Sequence, residues 1–380
     1  MNILLASDAN VERAGVCIFM FRWIQGILEM DKDIHVTAYF RKGIKDEHFA
    51  DQYRAMGVEL VLGELPQDQT SLSGTNRNKV RSDIRKILKS KPFEIIHINS
   101  SAVGFSTMIL TEGLRAGVPK RILHSHGRNP GNGIKNAYLW AFKLINRTIA
   151  TKWAGCSVDA GQYLFGRHAE ESRKWVFIPN TIPADEYAFD EENRKRKRES
   201  LGIDEEVLLL GAAGMLTDLK NHQFLFPVVK TLNETGLKSK LIIFGDGEKR
   251  EELTRYAKDL GLGKDIILYG TTDEIARWLS ALDIYVMPSL SEGLPLSAVE
   301  AQANGLCCLL SDHIARDVDL CPDVYHLPID QGADGWVETI KKQRKKSAAE
   351  RRQGVQRIKD AGFDRESIRE YISRLYEISV

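Results

Sequence analysis

Short apolar runs alternate with longer amphipathic segments along the whole chain. In the first half, the runs that predict β-strands are "NILLAS", "IHVTAYF", "VELVLG", "FEIIHIN", "RILHSH", "KWAGCS" and "KWVFIPN". In the second half they are "VLLLGAAG", "KLIIFGDG", "DIILYG", "DIYVMPS" and "LCCLLSD". This alternation indicates βαβ units, in which helices cover both faces of a parallel sheet.

A polar junction divides the pattern into two series. The segment "IPNTIPADEYAFDEENRKRKRESLG" combines two prolines with a dense run of charges, and new βα units begin after it. A chain of 380 residues is long enough for two domains. We therefore predict an α/β protein with two doubly wound, Rossmann-like domains, residues 1–182 and 183–360. The helical segment 361–380 follows and could pack back on the first domain.

Composition excludes several classes of protein. With 43% hydrophobic residues, 28% charged residues and a formal net charge of +1, the chain suits large cores and gives no basis for coating nucleic acid. Five cysteines without a C-x-x-C pair argue against a disulfide framework or a zinc site. The start "MNILLASDA" lacks the features of a signal peptide, and no apolar run is long enough to span a bilayer. We expect a cytoplasmic protein.

Two carboxylates stand out in the apolar stretch "SEGLPLSAVEAQA". Glu292 follows a predicted strand, where a loop carboxylate can accept two hydrogen bonds from a polyol such as a sugar. Glu300 lies about one turn into the next predicted helix, whose N-terminal amides are suited to phosphate. The alternative for Glu292 is a solvated loop residue. The alternative for Glu300 is a capping box with Ser297.

Further candidates follow other predicted strands. In "GMLTDLKNH", Gly214 ends a strand, and Lys220 is expected to open a helix and place a charge beside a phosphate, or else to be solvated. "GDG" at Gly245 and "GTTDE" at Thr271 predict loops near a nucleotide. In "RILHSHGRN", two histidines lie near the end of a predicted strand. We take His126 rather than His124 as the candidate site residue, because His126 adjoins Gly127 in the loop.

Two features of the first half bear on phosphate and membrane binding. Gly15, in the first loop, could let backbone approach a phosphate, although an ordinary helix start is the alternative. Residues 113–158 contain eight lysines or arginines and no acid, and "NAYLWAFKLINRTIATKW" predicts a basic helix with apolar faces. Such a helix could lie on an anionic membrane surface, or it could be an ordinary packed helix.

The motifs together resemble the retaining glycosyltransferases of the GT-B fold, in particular family 4 (glycosyltransferase group 1), whose members build capsular and exopolysaccharides. The resemblance covers nearly the whole chain. It rests on "GMLTDLKNH", "IFGDGEKREEL", "ILYGTTDEIARWLSALDIYVMPS" and the E-x7-E spacing of Glu292 and Glu300. In the first half it rests on "HSHG", "AGCSVDAGQYLFG" and "FIPNTI". It implies two domains that face a central cleft.

The resemblance also implies roles for the candidate residues. Glu292 would hold the donor sugar, the amides of Gly293 and Leu294 would face sugar and phosphates, and Glu300 would bind the ribose. His126 and Lys220 would lie near the reacting centre. The remaining implied donor contacts are Gly15, Gly214, Asn221, Gly245 and Thr271.

One position departs from the family pattern. The family has arginine in G-R-L-x-x-x-K, whereas this chain has Met215. The departure removes a charge from the diphosphate site, and we expect Met215 to pack in the core instead.

These features predict a hexosyltransferase (EC 2.4 type) that moves a sugar from a nucleotide-diphosphate donor to a growing, lipid-linked polysaccharide. UDP-sugars are expected ahead of GDP-sugars. We expect no metal or other cofactor, and a protein that is cytoplasmic or peripheral on the inner face of the membrane. A weakly catalytic or non-catalytic donor-binding scaffold is the alternative. A nicotinamide oxidoreductase fits poorly, because "GAAGML" lacks the glycine spacing of that fold.

Overall fold

The computed structural model describes residues 1–12, 15–63, 74–127, 136–343 and 345–378, with only the backbone for 74–75 and 136–138. The chain divides into two compact units. One contains Met1–Asn180 together with the C-terminal residues from Glu366, and the other contains Thr181–Arg365. The division falls two residues before the expected boundary at 182, and the second unit extends five residues beyond the expected 360.

The N-terminal unit is built on a seven-stranded parallel sheet of order β3-β2-β1-β4-β5-β6-β7. Its strands are β1 Asn2–Ser7, β2 His35–Phe40, β3 Glu59–Leu62, β4 Ile95–Asn99, β5 Lys120–Ser125, β6 Lys152–Gly155 and β7 Trp175–Phe177. Its helices are α1 Gly15–Met30, α2 Glu47–Ala55, α3 Gly74–Ser90, α4 Val103–Arg115, α5 Asn136–Ile149 and α6 Val158–Phe165. Every residue of the central strand β4 is buried, because helices cover both faces of the sheet.

The C-terminal unit repeats this design with a six-stranded parallel sheet of order β10-β9-β8-β11-β12-β13. Its strands are β8 Leu208–Ala213, β9 Ser239–Phe244, β10 Ile266–Gly270, β11 Ile284–Met287, β12 Cys307–Ser311 and β13 Val324–Leu327. Its helices are α7 Glu191–Ser200, α8 Leu225–Glu234, α9 Arg250–Asp259, α10 Ile275–Ala281, α11 Leu296–Ala303, α12 Asp334–Lys342 and α13 Ala348–Asp360. Strands β11 and β12 are buried throughout.

The final helix, α14 Ile368–Tyr376, belongs to the N-terminal unit and packs against α1. Trp23 Nε1 donates to the hydroxyl of Tyr376 at 2.9 Å, and both side chains are buried. Gly26 of α1 faces Ile368 and Ile372 so closely that a Cβ at this position would lie 2.9 Å from Ile372 Cδ1. The absence of a side chain at Gly26 therefore allows the two helices to approach.

Both sheets have a strand-order reversal at which ligands bind in folds of this type. In each, the chain first builds outward on one side and then crosses to the other, between β1 and β4 and between β8 and β11. Loops that follow the two strands at such a reversal diverge and leave a crevice at the carboxyl edge of the sheet. The candidate residues are located relative to these two edges below.

Candidate functional site

Lys220 and Glu292 form an ion pair at the carboxyl edge of the C-terminal sheet. Lys220 Nζ lies 2.6 Å from Glu292 Oε1, and the two side chains are only 18% and 14% exposed. Lys220 belongs to the loop after β8, and Glu292 to the loop after β11, the two strands at the reversal. A cation and an anion are therefore held together where this fold binds ligands.

Backbone and side-chain hydrogen bonds tie the same two loops together. Leu290 N donates to the carbonyl of Leu219 at 2.8 Å, and Asn221 Nδ2 donates to the carbonyl of Pro288 at 3.3 Å. Asn221 has φ +51°, in the left-handed region that asparagine tolerates better than most residues. Because this residue interrupts helical geometry, Lys220 ends a 3₁₀ turn that begins at Asp218, and α8 begins only at Leu225. The expectation that Lys220 opens a helix was wrong.

Glycines allow the loops after β8, β9 and β10 to interlock. Gly214 and Gly245 have φ +154° and +133°, which side chains rarely permit. Gly214 N donates to the carbonyl of Phe244 at 2.9 Å, and Gly245 N donates to that of Gly270 at 2.8 Å. A Cβ on Gly245 would overlap the carbonyl of Gly214. Gly214 in turn leaves room for the Lys220 side chain, whose Cε would lie 3.2 Å from a Cβ there.

The segment after Glu292 leads directly into α11. Glu292 forms an isolated parallel bridge with Ile314, Gly293 follows, and the side chain of Leu294 is buried. Helix α11 begins at Leu296 with Pro295 at the N-cap and no side-chain cap. Ser297 therefore lies inside the helix, and the capping-box interpretation of Ser297 and Glu300 is wrong.

Glu300 has a partner that the sequence did not reveal. Tyr187, in the 3₁₀ turn Ala184–Tyr187, donates from its hydroxyl to Glu300 Oε1 at 2.9 Å. The buried Asn304 donates from Nδ2 to the backbone carbonyl of Tyr187 at 2.9 Å and so fixes the turn. These contacts hold one carboxylate oxygen of Glu300. The segment around Tyr187 looked like an interdomain junction, which is why the sequence gave no signal for it.

The position of Met215 corrects one expectation. Its side chain is 61% exposed, so it does not pack in the core. The exposed side chains of Leu219 and Leu290 belong to the two loops that carry the ion pair. Thr271, directly after β10, is also exposed. The loop thus places an apolar side chain in solvent at the position of the family's arginine.

His222 is buried beside the lysine. Burial lowers its pKa to about 4, with a further contribution from the charge of Lys220. Hydrogen bonding of the ring to the backbone of Gly214 and Met215 opposes this lowering of the pKa only in part. His222 is therefore neutral near pH 7 and adds no charge to the loop.

The N-terminal unit has its own cluster of rings at the carboxyl edge. His124 and His126 stack with centroids 4.1 Å apart, and Phe19 of α1 packs against both. His124 is fully buried, whereas His126 keeps partial exposure. Burial lowers the pKa of both rings, so each is neutral near pH 7. Ser101 Oγ donates to the carbonyl of Gly127 at 3.0 Å.

A buried chain of hydrogen bonds connects this cluster to α14. The hydroxyl of Tyr376 lies 2.9 Å from His97 Nδ1, and His97 Nε2 lies 3.3 Å from His124 Nδ1. Asn99, two residues after His97, places Oδ1 3.0 Å from His126 Nε2. Asn99 was missed because its position in "FEIIHIN" does not distinguish it from other strand residues.

The first loop is only partly described. Gly15 begins α1 with φ +39°, and a Cβ there would contact nothing within 4 Å among the described residues, whereas Ala14 lies outside them. Cys17 is buried and donates from Sγ to the carbonyl of Asn10 at 2.8 Å. Burial raises its pKa to about 12, so it is an unreactive thiol.

The basic stretch 113–158 also lies partly outside the described residues, which omit 128–135. Within the described part, α5 exposes Trp140 at 68%, Leu144 at 47% and Ile145 at 40%. The same helix is anchored from its opposite face by the buried Asn146, which donates to the carbonyl of Val103 at 3.2 Å. Helix α5 therefore carries three large apolar side chains in solvent.

Comparison with known proteins gives the family. The family model described as "Glycosyl transferases group 1" matches residues 193–352. EpsF of Bacillus subtilis (strain 168), which is named as a glycosyltransferase, is 30% identical over 305 residues, 79% of this chain and 79% of EpsF. The chain belongs to the group 1 glycosyltransferases. It is therefore a transferase enzyme.

Two further similarities support this assignment. An Escherichia coli protein named UDP-Gal:alpha-D-GlcNAc-diphosphoundecaprenol alpha-1,3-galactosyltransferase is 28% identical over 234 residues, 60% of each chain. The crystal structure of Anabaena Alr3699/HepE in complex with UDP has a TM-score of 0.79 and 16% identity, and it covers 99% of this chain and 100% of its own. The fold of this glycosyltransferase is thus GT-B, as the sequence predicted.

The family match covers only part of the candidate site. Lys220, Glu292 and Glu300 lie within residues 193–352, whereas Gly15 and His126 lie outside them. In the described part of this glycosyltransferase, no three His, Cys, Asp or Glu side chains form a group that could hold a metal. The absence of a metal stays a prediction. No helix within the described ranges is long and apolar enough to cross a membrane.

Proposed function

We propose that this glycosyltransferase is a retaining family 4 enzyme that moves a sugar from a UDP-sugar to a growing, lipid-linked saccharide in capsule or exopolysaccharide biosynthesis. The observation that carries the proposal is the Lys220–Glu292 ion pair at the strand-order reversal. An exposed ion pair would be weak evidence for a binding site. This pair is mostly buried, and it lies within residues 193–352, which the family model matches.

The pair suggests how a donor is received. In the described structure each charge neutralises the other across 2.6 Å. A donor with two phosphates would draw Lys220 toward its oxygens, and its sugar hydroxyls would donate to the carboxylate of Glu292. Lys220 would exchange the carboxylate for phosphate oxygens, and Glu292 would exchange the ammonium for sugar hydroxyls. Neither charge would then be left buried and unpaired.

The proposed reaction needs charge stabilisation more than acid–base chemistry. The bond between the sugar C1 and the β-phosphate oxygen breaks, a bond from C1 to the acceptor oxygen forms, and the acceptor proton passes to the departing phosphate. Lys220 would stabilise the charge that develops on the diphosphate. Amides after Glu292 and at the start of α11 would contribute in the same direction.

Other residues would position the donor. Glu300, held by Tyr187 through one oxygen, would accept hydrogen bonds from the ribose hydroxyls. The role proposed for His126 is to accept a hydrogen bond from a sugar hydroxyl through its neutral ring. The interlocked glycine loops at Gly214 and Gly245, with Asn221 and Thr271, would shape the remaining contacts, and Gly15 would let backbone approach a phosphate.

The acceptor and donor proposals draw on the named relative. The Escherichia coli galactosyltransferase is named for a UDP-sugar donor and a diphosphoundecaprenol-linked acceptor. Peripheral contact with the inner membrane surface would bring this enzyme to such an acceptor. The exposed Trp140, Leu144 and Ile145 on α5, with Arg147 beside them, are the described side chains best suited to that contact.

A transfer assay tests the proposal. The protein is incubated with UDP-glucose, UDP-galactose, UDP-N-acetylglucosamine or GDP-mannose and a diphosphoundecaprenol-linked sugar, and the product is analysed by mass spectrometry and NMR. We expect transfer from a UDP-sugar with the anomeric configuration retained, and a loss of at least about 100-fold in Glu292→Gln and Lys220→Ala, the usual cost of removing a group that stabilises developing charge.

The matched controls are Lys346→Ala and Asp323→Asn. Lys346 and Asp323 form another half-buried ion pair in the same unit, 2.7 Å apart and 16% and 34% exposed, outside the candidate site. These variants should keep wild-type rates. Transfer that survives in Lys220→Ala and Glu292→Gln, or an inverted product, would refute the proposal.

A vesicle flotation assay tests the membrane contact separately. Binding to phosphatidylglycerol vesicles at low salt should exceed binding to phosphatidylcholine vesicles, and Trp140→Ser with Leu144→Ser should reduce it. An absence of binding to both vesicle types would refute peripheral attachment without affecting the transfer proposal.

A further inference from the structure

Asn99 forms the only hydrogen bond that the described residues make to the ring of His126. Asn99 ends β4 and pairs with His124 of β5, so its side chain lies beside the histidines of the neighbouring strand. Its Oδ1 is 3.0 Å from His126 Nε2, and its Nδ2 is 3.4 Å from the carbonyl of His97. Asn99 is fully buried, whereas His126 is half-buried.

The second contact fixes the orientation of the amide. If the Asn99 amide were flipped, its oxygen would face the carbonyl oxygen of His97, and two acceptors would repel each other. The oxygen therefore faces His126. An oxygen can only accept, so His126 Nε2 must carry the proton. In a neutral ring this leaves Nδ1 as the acceptor.

Packing prevents the ring from escaping this arrangement. His124 stacks on one side at 4.1 Å, and Phe19 packs against the ring at 4.7 Å. The chain from Tyr376 through His97 holds His124 in turn. Burial lowers the pKa of His126, which keeps the ring neutral near pH 7.

We propose that Asn99 is a positioning residue that holds His126 as the Nε2–H tautomer, so that Nδ1 accepts a hydrogen bond from a sugar hydroxyl. The inference rests on the proposed function for the role of His126, but the tautomer itself does not. The titratable rings of this cluster are His124, which stacks on His126, and His97, which stacks on His124. The carboxylate of Asp8, which follows β1, is paired with another group, because it accepts a hydrogen bond from Ser100 Oγ at 2.5 Å.

Three variants separate positioning from folding. Asn99→Leu keeps the size of the side chain and removes the acceptor. Asn99→Asp keeps an acceptor and adds a negative charge. Asn146→Leu is the matched control, because Asn146 is also fully buried in the same unit and its Nδ2 donates only to the carbonyl of Val103 among the described residues.

The readouts are the tautomer of His126 and the rate of donor cleavage. Long-range ¹H–¹⁵N spectra report which ring nitrogen carries the proton. Hydrolysis of the nucleotide sugar that the transfer assay selects reports kcat and KM without an acceptor. Both are measured between pH 5.5 and 8.5, with His126→Ala as reference.

We expect the wild type and Asn146→Leu to show the Nε2–H tautomer at all these pH values. Asn99→Leu should show a mixture of tautomers and a kcat/KM about tenfold lower, the loss of one hydrogen bond. Asn99→Asp should raise the pKa of His126, because a nearby negative charge favours the charged ring, and kcat/KM should then fall as the pH is lowered.

The outcomes are distinguishable. An unchanged tautomer in Asn99→Leu, or an unchanged pKa of His126 in Asn99→Asp, would overturn the inference. Even if Asn99→Leu failed to fold, Asn99→Asp would still decide it. Wild-type cleavage by His126→Ala would instead refute the proposed role of His126 and leave the tautomer result standing.

Discussion

Lys220 Nζ and Glu292 Oε1 are 2.6 Å apart, although 72 positions separate the two residues in the sequence. The contact joins the loops after β8 and β11, where the strand order of the C-terminal sheet reverses. Each charge is thereby satisfied before any donor arrives. We infer that donor binding exchanges partners at an existing site, because the two loops are already held together by Leu219, Asn221 and their backbone partners.

The contact between Tyr187 and Glu300 predicts how the ribose is recognised. If Glu300 binds the ribose, the wild type should bind UDP about tenfold more tightly than 2′-deoxy-UDP, and Glu300→Gln should lose most of that preference. Tyr187→Phe should give an intermediate preference, because Glu300 keeps its charge but loses one hydrogen bond that orients it.

Fluorescence titration with both nucleotides measures these preferences. Glu234→Gln, at an exposed ion pair on α8, is the control and should match the wild type. Equal preference for UDP in Glu300→Gln and the wild type would exclude the ribose role.

The exposed Met215 predicts a gain of function. Because its side chain is 61% exposed, Met215→Arg should be accommodated without a core penalty and should add a charge near the diphosphate. We expect UDP to bind about tenfold more tightly at low salt, with a steeper dependence on salt concentration. Leu219→Arg is the control, because it adds the same charge to an exposed position of the same loop. Equal gains in both variants would mean that only the net charge matters.

The conformation and surroundings of Gly245 predict that a side chain there would destabilise the fold through backbone strain and steric overlap. With φ +133° and the carbonyl of Gly214 where a Cβ would lie, Gly245→Ala should lower the free energy of unfolding by about 2–3 kcal/mol and weaken UDP binding. Gly261→Ala is the matched control, because Gly261 has φ +75° but no described atom within 4 Å of a Cβ. It should cost about 1 kcal/mol and leave UDP binding unchanged. The two variants are compared by urea unfolding. An equal loss of unfolding free energy in Gly245→Ala and Gly261→Ala would contradict the close contact between the loops.

The buried histidines predict sensitivity to acid. Burial lowers the pKa of His97 to about 3 and that of His124 well below its usual range. The unfolded chain therefore takes up protons first as the pH falls below about 6.5. Between that pH and the native pKa values, each ring should reduce the free energy of unfolding by about 1.4 kcal/mol per pH unit.

Urea unfolding at pH 7.5, 6.5 and 5.5 checks the acid dependence. His97→Gln should make the decrease in the free energy of unfolding shallower by about 1.4 kcal/mol per pH unit, the contribution of one ring. His168→Gln, at an exposed histidine of the same unit, should leave the decrease unchanged. Identical slopes in His97→Gln and the wild type would show that the acid sensitivity has another origin.

The sequence predicted most of the architecture because the core strands are continuous apolar runs. "NILLAS" corresponds to β1 residue for residue, and the five strands predicted for the second half are all present. The strand β13, Val324–Leu327, was missed because its run "VYHL" is only four residues long and includes a polar histidine, and all four residues are only half-buried. A short strand that is buried on neither face lacks the continuous apolar run that marks β4, β11 and β12.

Motif spacing located the site less completely. The sequence pointed to Lys220 and Glu292 but not to their direct contact, and no periodicity reveals the left-handed residue Asn221 that follows the lysine. Met215 was assigned to the core because methionine is usually buried, and the structure exposes it. Tyr187 and Asn99 act through contacts with residues distant in the sequence, which only the tertiary structure brings together.

The most direct test of the donor site is isothermal titration of the purified protein with UDP. The account predicts that Lys220→Ala binds UDP about 10- to 100-fold more weakly than the wild type, because a charge-assisted hydrogen bond to the diphosphate is lost. Lys346→Ala should bind as the wild type does. Glu292→Gln should bind UDP, which lacks the sugar, as tightly as the wild type or more tightly, because Lys220 is released from its partner. Wild-type affinity for UDP in Lys220→Ala would contradict the account.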